Sequence, residues 1–179
     1  GTVTCKGSGT ANITVKASET AKYAYAEKTV KLTVKKGTQI IALSDMTKTA
    51  DVGSFALKNI LKDGDGKLTY TSGKTSVATV SSAGVITVKS AGTAKITVKA
   101  AATDNYNAAS KTVTLTVKKA SQVISASSVT KTIGAKSFEI GTLTKGNGKL
   151  TFKSSNTDVA TVDANGKVTA VAAGKAVIT

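Results

Sequence analysis

The sequence predicts an all-β protein built from tandem β-sandwich repeats of about 83 residues. Three observations lead there. The chain repeats itself: residues 1–39 align without a gap on residues 84–122, and 23 of the 39 positions are identical. Apolar and polar residues alternate through short β-branched segments, which is the period of a half-buried strand. Turn signals separate these segments at roughly 8–12 residues, the spacing of a sandwich. No segment carries a helical period.

The repeat continues beyond residue 39. Residues 39–57 match 122–140, DGDGKLTY (63–70) matches KGNGKLTF (145–152), and residues 76–97 match 158–179 at an offset of 82. Residues 1–37 are therefore expected to be the C-terminal part of one repeat, 38–120 a complete repeat, and 121–179 the N-terminal part of a third. Thr179 is equivalent to Thr97, in the middle of an expected strand, so both ends read as cuts through a longer array. Each partial repeat leaves an unpaired sheet edge and half a core. Completion is expected from neighbouring chains, head to tail with a 14-residue overlap, or from flanking sequence of a longer protein. The second is the preferred expectation.

Taken in order, the complete repeat opens with the apolar run Gln39–Leu43, followed by Phe55–Leu57 and the alternating pair Leu68 and Tyr70. Val85–Lys89 places Ile86 and Val88 on one face. Ala94–Ala100 turns Ile96 and Val98 inward and Lys95 and Lys99 outward. Lys111–Lys118 alternates strictly, with Val113, Leu115 and Val117 opposite Thr112, Thr114, Thr116 and Lys118; Val30, Leu32 and Val34 repeat the pattern. That makes about seven strands. Asp163-Ala-Asn-Gly166 and Ser81-Ser-Ala-Gly84 read as hairpin turns, where Asn-Gly supplies positive φ. Gly92 and Gly174 stand where the next strand starts. The junctions Lys35-Lys-Gly-Thr-Gln39 and Lys118-Lys-Ala-Ser-Gln122 are short enough to restrict hinge motion.

Composition bounds the chemistry. Hydrophobic residues make up 40% of the chain, enough for real cores, but aromatics are 4% and Trp is absent, so the cores rest on Val, Ile, Leu and Ala. Apolar runs stay far below the roughly 18 residues of a membrane span. The chain starts with neither Met nor a secretory leader, so any leader or wall anchor is expected outside this stretch. All 25 basic residues are Lys, and the net charge is +15. Such a surface attracts polyanions. Specific nucleic-acid binding is not expected, because base readout leans on Arg and single-strand binding on stacked aromatics. Exposed Lys also blocks edge-to-edge strand pairing.

Catalysis is not expected. Without His there is no Ser-His or Cys-His pair. Most of the ten acids fall in expected turns: Asp45, Asp51, Asp63, Asp65, Asp104, Asp158 and Asp163. Asp63-Gly-Asp-Gly66 resembles part of a calcium loop, but it is too short for six oxygens, and Lys145 replaces its first Asp in the next repeat. A turn accounts for both, so no catalytic, cofactor-binding or metal-binding residue is expected, and no ligand-binding residue is singled out. Cys5 aligns with Val88 and Ala170 and reads as a small core residue; a crosslinking thiol is the alternative. Tyr25 aligns with Ala108 and is expected to be exposed, a weak pointer to a binding surface.

Ser154–Thr179, SSNTDVATVDANGKVTAVAAGKAVIT, resembles the hallmark segment of the bacterial immunoglobulin-like domains of group 2. The pattern is a Ser-rich lead, V-A-T-V, a Gly hairpin, a short strand and A-G-x-A-x-I-T. It recurs at Ser72–Thr97, and its tail at Gly1–Thr14. That family occurs in bacterial surface proteins, including intimin- and invasin-like adhesins and long repeat proteins of gut Firmicutes, the last being the most similar in their Lys and Thr content. The resemblance implies tandem immunoglobulin-like sandwiches, an extracellular place on the cell surface, and a role in display, adhesion or spacing, with no catalytic residues. Many relatives have Trp before the Ser-rich lead, where this chain has Tyr70 and Phe152. Tyr23 and Tyr106 resemble the tyrosine corner of such sandwiches, whose hydroxyl bonds to nearby backbone. Some Gram-positive sandwiches hold Lys–Asn or Lys–Asp crosslinks beside a buried acid, but Glu139 between inward Phe138 and Ile140 is expected to point outward. Three roles follow as expectations: a non-catalytic stalk or adhesin scaffold, a module binding a host protein such as an immunoglobulin, and a module binding an anionic glycan or polymer.

Overall fold

The computed structural model describes residues 1–179, and the chain divides into two compact units, Gly1–Lys119 and Ala120–Thr179. Both are all-β, as the alternating pattern requires. The first unit begins with β1 (Gly9–Ala17) and β2 (Ala26–Val34), an antiparallel hairpin. It continues with β3 (Gly37–Thr38), β4 (Ile40–Ile41), β5 (Met46–Thr49), β6 (Ser54–Ala56), β7 (Leu61–Asp63) and β8 (Leu68–Ser72). The remaining strands are β9 (Ala78–Val80), β10 (Val85–Val88), β11 (Gly92–Ala100), β12 (Tyr106–Asn107) and β13 (Ala109–Lys118).

A four-stranded sheet, in the order β5-β13-β11-β8, faces a three-stranded sheet, β6-β10-β9. Period-two alternation sets what lies between them. Val113, Leu115 and Val117 of β13, Ala94 and Ile96 of β11, and Ile86 and Val88 of β10 form one buried cluster, with Phe55, Leu57 and Met46 packed against it. Each such aliphatic side chain stabilises the fold by about 1.5–3 kcal/mol on burial. Tyr70 closes a turn: Gly84, at φ +75°, lies against its ring so closely that a Cβ there would come within 2.9 Å of it. Gly166 sits on Phe152 in the same way.

The alternation left five strands of this unit unread. Gly37–Thr38, Met46–Thr49, Leu61–Asp63, Ala78–Val80 and Tyr106–Asn107 are two to four residues long, too short to show a period. β5 is the most consequential, because it lies parallel to β13 while the other partners in that sheet are antiparallel.

The β1–β2 hairpin repeats the β11–β13 pair in the same register. Gly9 faces Val34 as Gly92 faces Val117, and the Thr14 and Thr29 hydroxyls meet at 2.7 Å as those of Thr97 and Thr112 meet at 2.9 Å. No second sheet covers it. Val15 is 66% exposed where its equivalent Val98 is 0% exposed. Cys5 corrects the expectation of a core residue: it is exposed, because residues 1–6 lie outside any strand and have no sandwich to enter.

The second unit holds β14 (Val123–Ser125), β15 (Phe138–Glu139), β16 (Thr142–Lys145), β17 (Ala160–Val162) and β18 (Lys167–Ala170). The sheet β15-β18-β17 reproduces β6-β10-β9, with Phe138 opposite Val168 as Phe55 is opposite Ile86. β14 pairs with β16. Ile178 bridges to Ser154 as Ile96 pairs with Ser72. Val168 is buried, but the apolar face around it opens into a groove of about 760 Å³. Glu139 is exposed.

Candidate functional site

A dense polar site lies where residues 36–39 meet the loop at 64–66 and residues 101–107. Gln39 is 3% exposed, and every arm of its amide is used. Its Oε1 accepts the Gly66 N–H at 2.7 Å, and its Nε2 donates to the Ala101 carbonyl at 2.7 Å and the Asn107 carbonyl at 2.9 Å. Burying an amide is tolerated only when it is bonded in this way. Gly64 and Gly66 let the loop wrap this side chain: a Cβ on Gly66 would stand 2.2 Å from the Ala101 carbonyl oxygen. The DGDG stretch is thus a cradle for Gln39. Gln122 has the same neighbours in the second unit, accepting from the Asn147 and Gly148 amides.

Around this plug the preceding segment is tied down. β3 runs parallel to β12, pairing Gly37 with Tyr106 and Thr38 with Asn107, and the Gly37 N–H donates to Asn105 O at 2.7 Å. Lys36 Nζ reaches the Thr103 carbonyl at 2.6 Å. The Ser8 amide donates to Asn105 Oδ1 at 2.9 Å, and its hydroxyl to the Asp104 carbonyl. The junction expected as a short linker is therefore a hydrogen-bonded seam.

The tyrosine-corner expectation is corrected here. The Tyr106 hydroxyl donates to the Asp63 carboxylate at 3.2 Å instead of to backbone, and its ring packs on Gly37. The Asp63 charge and this hydrogen bond, with lesser contributions from burial and Asp65, push the phenol above its ordinary pKa. Tyr23 is 76% exposed and keeps only the local turn, with its N–H donating to Thr20 Oγ1 at 3.2 Å. Asp65 accepts from the Thr103 hydroxyl at 2.8 Å. Both carboxylates of the calcium-like stretch are thus bonded to hydroxyls of one loop, residues 103–106.

Other singled-out residues stay apart. Tyr25 is exposed and donates to Glu27, which pushes its phenol up, with burial adding less. Asp45 accepts the Thr114 N–H at 2.7 Å at the edge of β13. Asp163 accepts the Lys167 and Asn165 N–H groups at 2.9 and 2.8 Å, which holds its carboxyl below the ordinary Asp value. On the outer face of the four-stranded sheet, Lys95 stands across from Thr114, and Lys99 from Ser110 and Thr69. Sequence reasoning missed Gln39. Its signal was recurrence at 122 together with G-x-G at 64–66 and 146–148, but a Gln beside a strand reads as a surface residue.

Residues 54–103 and 142–179 match the model of the family described as intimin, immunoglobulin-like domain. The fold is immunoglobulin-like. The two matched stretches fall one in each unit, and each contains an Ig-like V-A-T-V strand and its Gly hairpin. No curated protein sequence matches the chain. Among solved structures, the Ig-like chain is similar to the S-layer protein rSbsC(31-844), with 17% identity, 95% of this chain and 34% of that chain covered, and a TM-score of 0.32. It is similar also to surface layer protein SbsC, domains 1-6, with 18% identity, 96% of this chain and 25% of that one covered, and a TM-score of 0.35. The chain thus spans about a third and a quarter of the length of these two structures.

Proposed function

We propose that the chain is a non-catalytic stalk segment of a bacterial cell-surface protein, from an array of group 2 immunoglobulin-like repeats of the kind found in gut Firmicutes. The observation that carries this reading is the seam at the junction: residues 36–39 are hydrogen-bonded to the far loop of the complete repeat, so the connection between repeats has little freedom. An array joined in this way extends by on the order of 35–45 Å per repeat, from strands of about 3.3 Å per residue plus loops. It would hold a terminal domain clear of the cell wall. The test is a distance measurement by pulsed electron resonance between spin labels at K28C and K111C, equivalent positions one repeat apart, in a Cys5→Ser background. A single narrow distance distribution is expected. A broad one would sink the stalk reading.

A second reading is favoured by the outer sheet face, where Lys95 and Lys99 stand among threonines with no carboxylate paired across from either. That surface suits anionic wall polymers, host glycans or an acidic host protein. Retention on an immobilised polyanion should fall steeply with ionic strength. Retention that ignores salt, or a host protein such as an immunoglobulin captured tightly from secretions, would point to a specific binding module instead.

A further inference from the structure

The sandwich of residues 38–120 has one side on which both sheets end. There β5 closes the four-stranded sheet and β6 the three-stranded one, and each is paired along one side only. We propose that an extended acidic peptide of a partner protein adds to the free side of β6 and seats an apolar side chain between β6 and β5.

The backbone of β6 has the groups for it. The Gly53 carbonyl accepts the Val88 N–H at 2.9 Å, and the Leu57 N–H donates to the Gly84 carbonyl at 2.9 Å. Phe55 stands between them, opposite Ile86. Bonding in an antiparallel ladder falls on alternate residues, so residues 53, 55 and 57 serve β10. Ser54 and Ala56 therefore turn their N–H and C=O groups to the free side, and both residues are exposed. A row of unused backbone groups on a sheet edge is a template for one more strand.

Beside this edge lies a hollow of about 340 Å³, lined by Met46, Phe55, Leu57 and Ile60 among others, with Lys48 and Lys58. Met46, Phe55 and Leu57 pack on the core but are only half-buried, because no strand covers them from this side. A residue opposite Phe55 on an added strand points to the same face of the sheet as Phe55, which is into the hollow. That position takes a large apolar side chain. Its neighbours, opposite Ser54 and Ala56, point to solvent, where Lys58 is exposed.

Charge selects the occupant. The Lys48 ammonium stands 5.1 Å from the centre of the Phe55 ring, and no carboxylate lines the hollow. A second copy of this chain is a poor occupant: it carries 25 Lys against 10 acids, and nowhere do two carboxylates flank a large apolar residue. A segment that alternates Glu or Asp with apolar residues answers the hollow and the lysines together. The arrangement recurs in the second unit, where β15 is again an edge strand and Lys131 lies 5.3 Å from the Phe138 ring. A three-residue edge makes few bonds, so one site binds weakly and tandem sites add avidity. The site is separate from Lys95 and Lys99, which belong to β11 in the other sheet.

The test follows the backbone amides of the full chain by nuclear magnetic resonance during addition of an acetylated octapeptide that alternates glutamate with valine and phenylalanine. Saturable shifts and slowed hydrogen exchange are expected at Ser54 and Ala56. Two N-methylated versions of the peptide, one blocking its glutamate amides and one its apolar amides, should behave differently. Only one set of amides can face β6, so one version should lose binding and the other keep it. Ala56→Pro removes a free-side N–H without touching a bond to β10 and should weaken binding by about tenfold, as should Lys58→Glu. Circular dichroism should be unchanged in both. The methylated pair uses the native chain, so it decides the matter even if a variant folds poorly. Equal binding of the two methylated versions means that side chains and charge act alone, and it overturns the proposal. So does octanoate shifting Met46 and Phe55 while the peptide shifts nothing, which makes the hollow an acyl-chain site. Unmoved Ser54 and Ala56 amides at millimolar peptide overturn it as well.

Discussion

Gln39 and Gly66 are locked to each other: the side-chain oxygen of one accepts the backbone N–H of the other at 2.7 Å, inside a glycine loop with no room for a Cβ. This contact joins the residue just after the junction to the loop before β8, and through Ala101 and Asn107 to the turns that follow β11 and β12. One side chain thus ties four segments.

Replacing Gln39 by Leu leaves the Gly66 N–H and the carbonyls of Ala101 and Asn107 without this partner. The expected cost is about 2–3 kcal/mol, from buried groups left unbonded. Urea denaturation followed by circular dichroism measures it. Gln122→Leu should cost less than about 0.5 kcal/mol, as exposed substitutions do, because Gln122 is exposed. Equal losses in the two variants would show that the plug contributes nothing specific.

The same valine in two copies of one strand provides an internal control. Val98→Ala removes two methyl groups from a side chain that is 0% exposed and should cost about 2 kcal/mol. Val15→Ala, at the equivalent position, should change stability by less than about 0.5 kcal/mol in the dilute monomer. Comparable effects at both positions would mean that the hairpin is covered in solution even when dilute.

Asp163 should make its hairpin sensitive to acid. Backbone N–H groups, first that of Lys167 and then that of Asn165, favour the carboxylate and lower its pKa in the fold. A depressed folded pKa gives stability that is present above the unfolded value and lost as pH falls through the folded one. The Lys167 amide resonance should therefore shift with a midpoint below that of an ordinary Asp. In Asp163→Asn that transition should vanish. A midpoint at or above the ordinary Asp value would contradict the geometry.

Cys5 should react as a free thiol in the native chain. Labelling with a small maleimide is expected to reach one equivalent at the rate seen in denaturant, since the residue is exposed. Labelling at least tenfold slower would restore the buried reading that its alignment with Val88 predicted.

What the sequence made legible follows from length and repetition. The long strands β11 and β13 were readable because eight or so residues of strict alternation leave no other period. The repeat offset gave their equivalents in β1 and β2, and it gave the turn glycines. The pairs β3–β12 and β4–β7 were unreadable: their strands are two or three residues long and held by tertiary bonds. The Gln39 plug was hidden because its partners are backbone groups 27, 62 and 68 residues away, which no side-chain pattern records. Tyr106 was found by recurrence, but its partner was misread, since a hydroxyl over a carboxylate leaves the same trace in sequence as one over a carbonyl. Cys5 was misplaced because alignment supplied a core that residues 1–37 do not have.

The parallel pairing of β5 with β13 has a mechanical consequence. In the proposed array, a pull along the chain on residues 38–120 would reach β5 from its N-terminal end and β13 from its C-terminal end. In parallel strands those are opposite ends of one ladder. The four residue pairs from Met46–Leu115 to Thr49–Lys118 are then loaded in shear, together, instead of being peeled one after another. An antiparallel closure of the same length would unzip from one end. Tension along the chain would therefore be met in shear at the short strand that the sequence did not reveal.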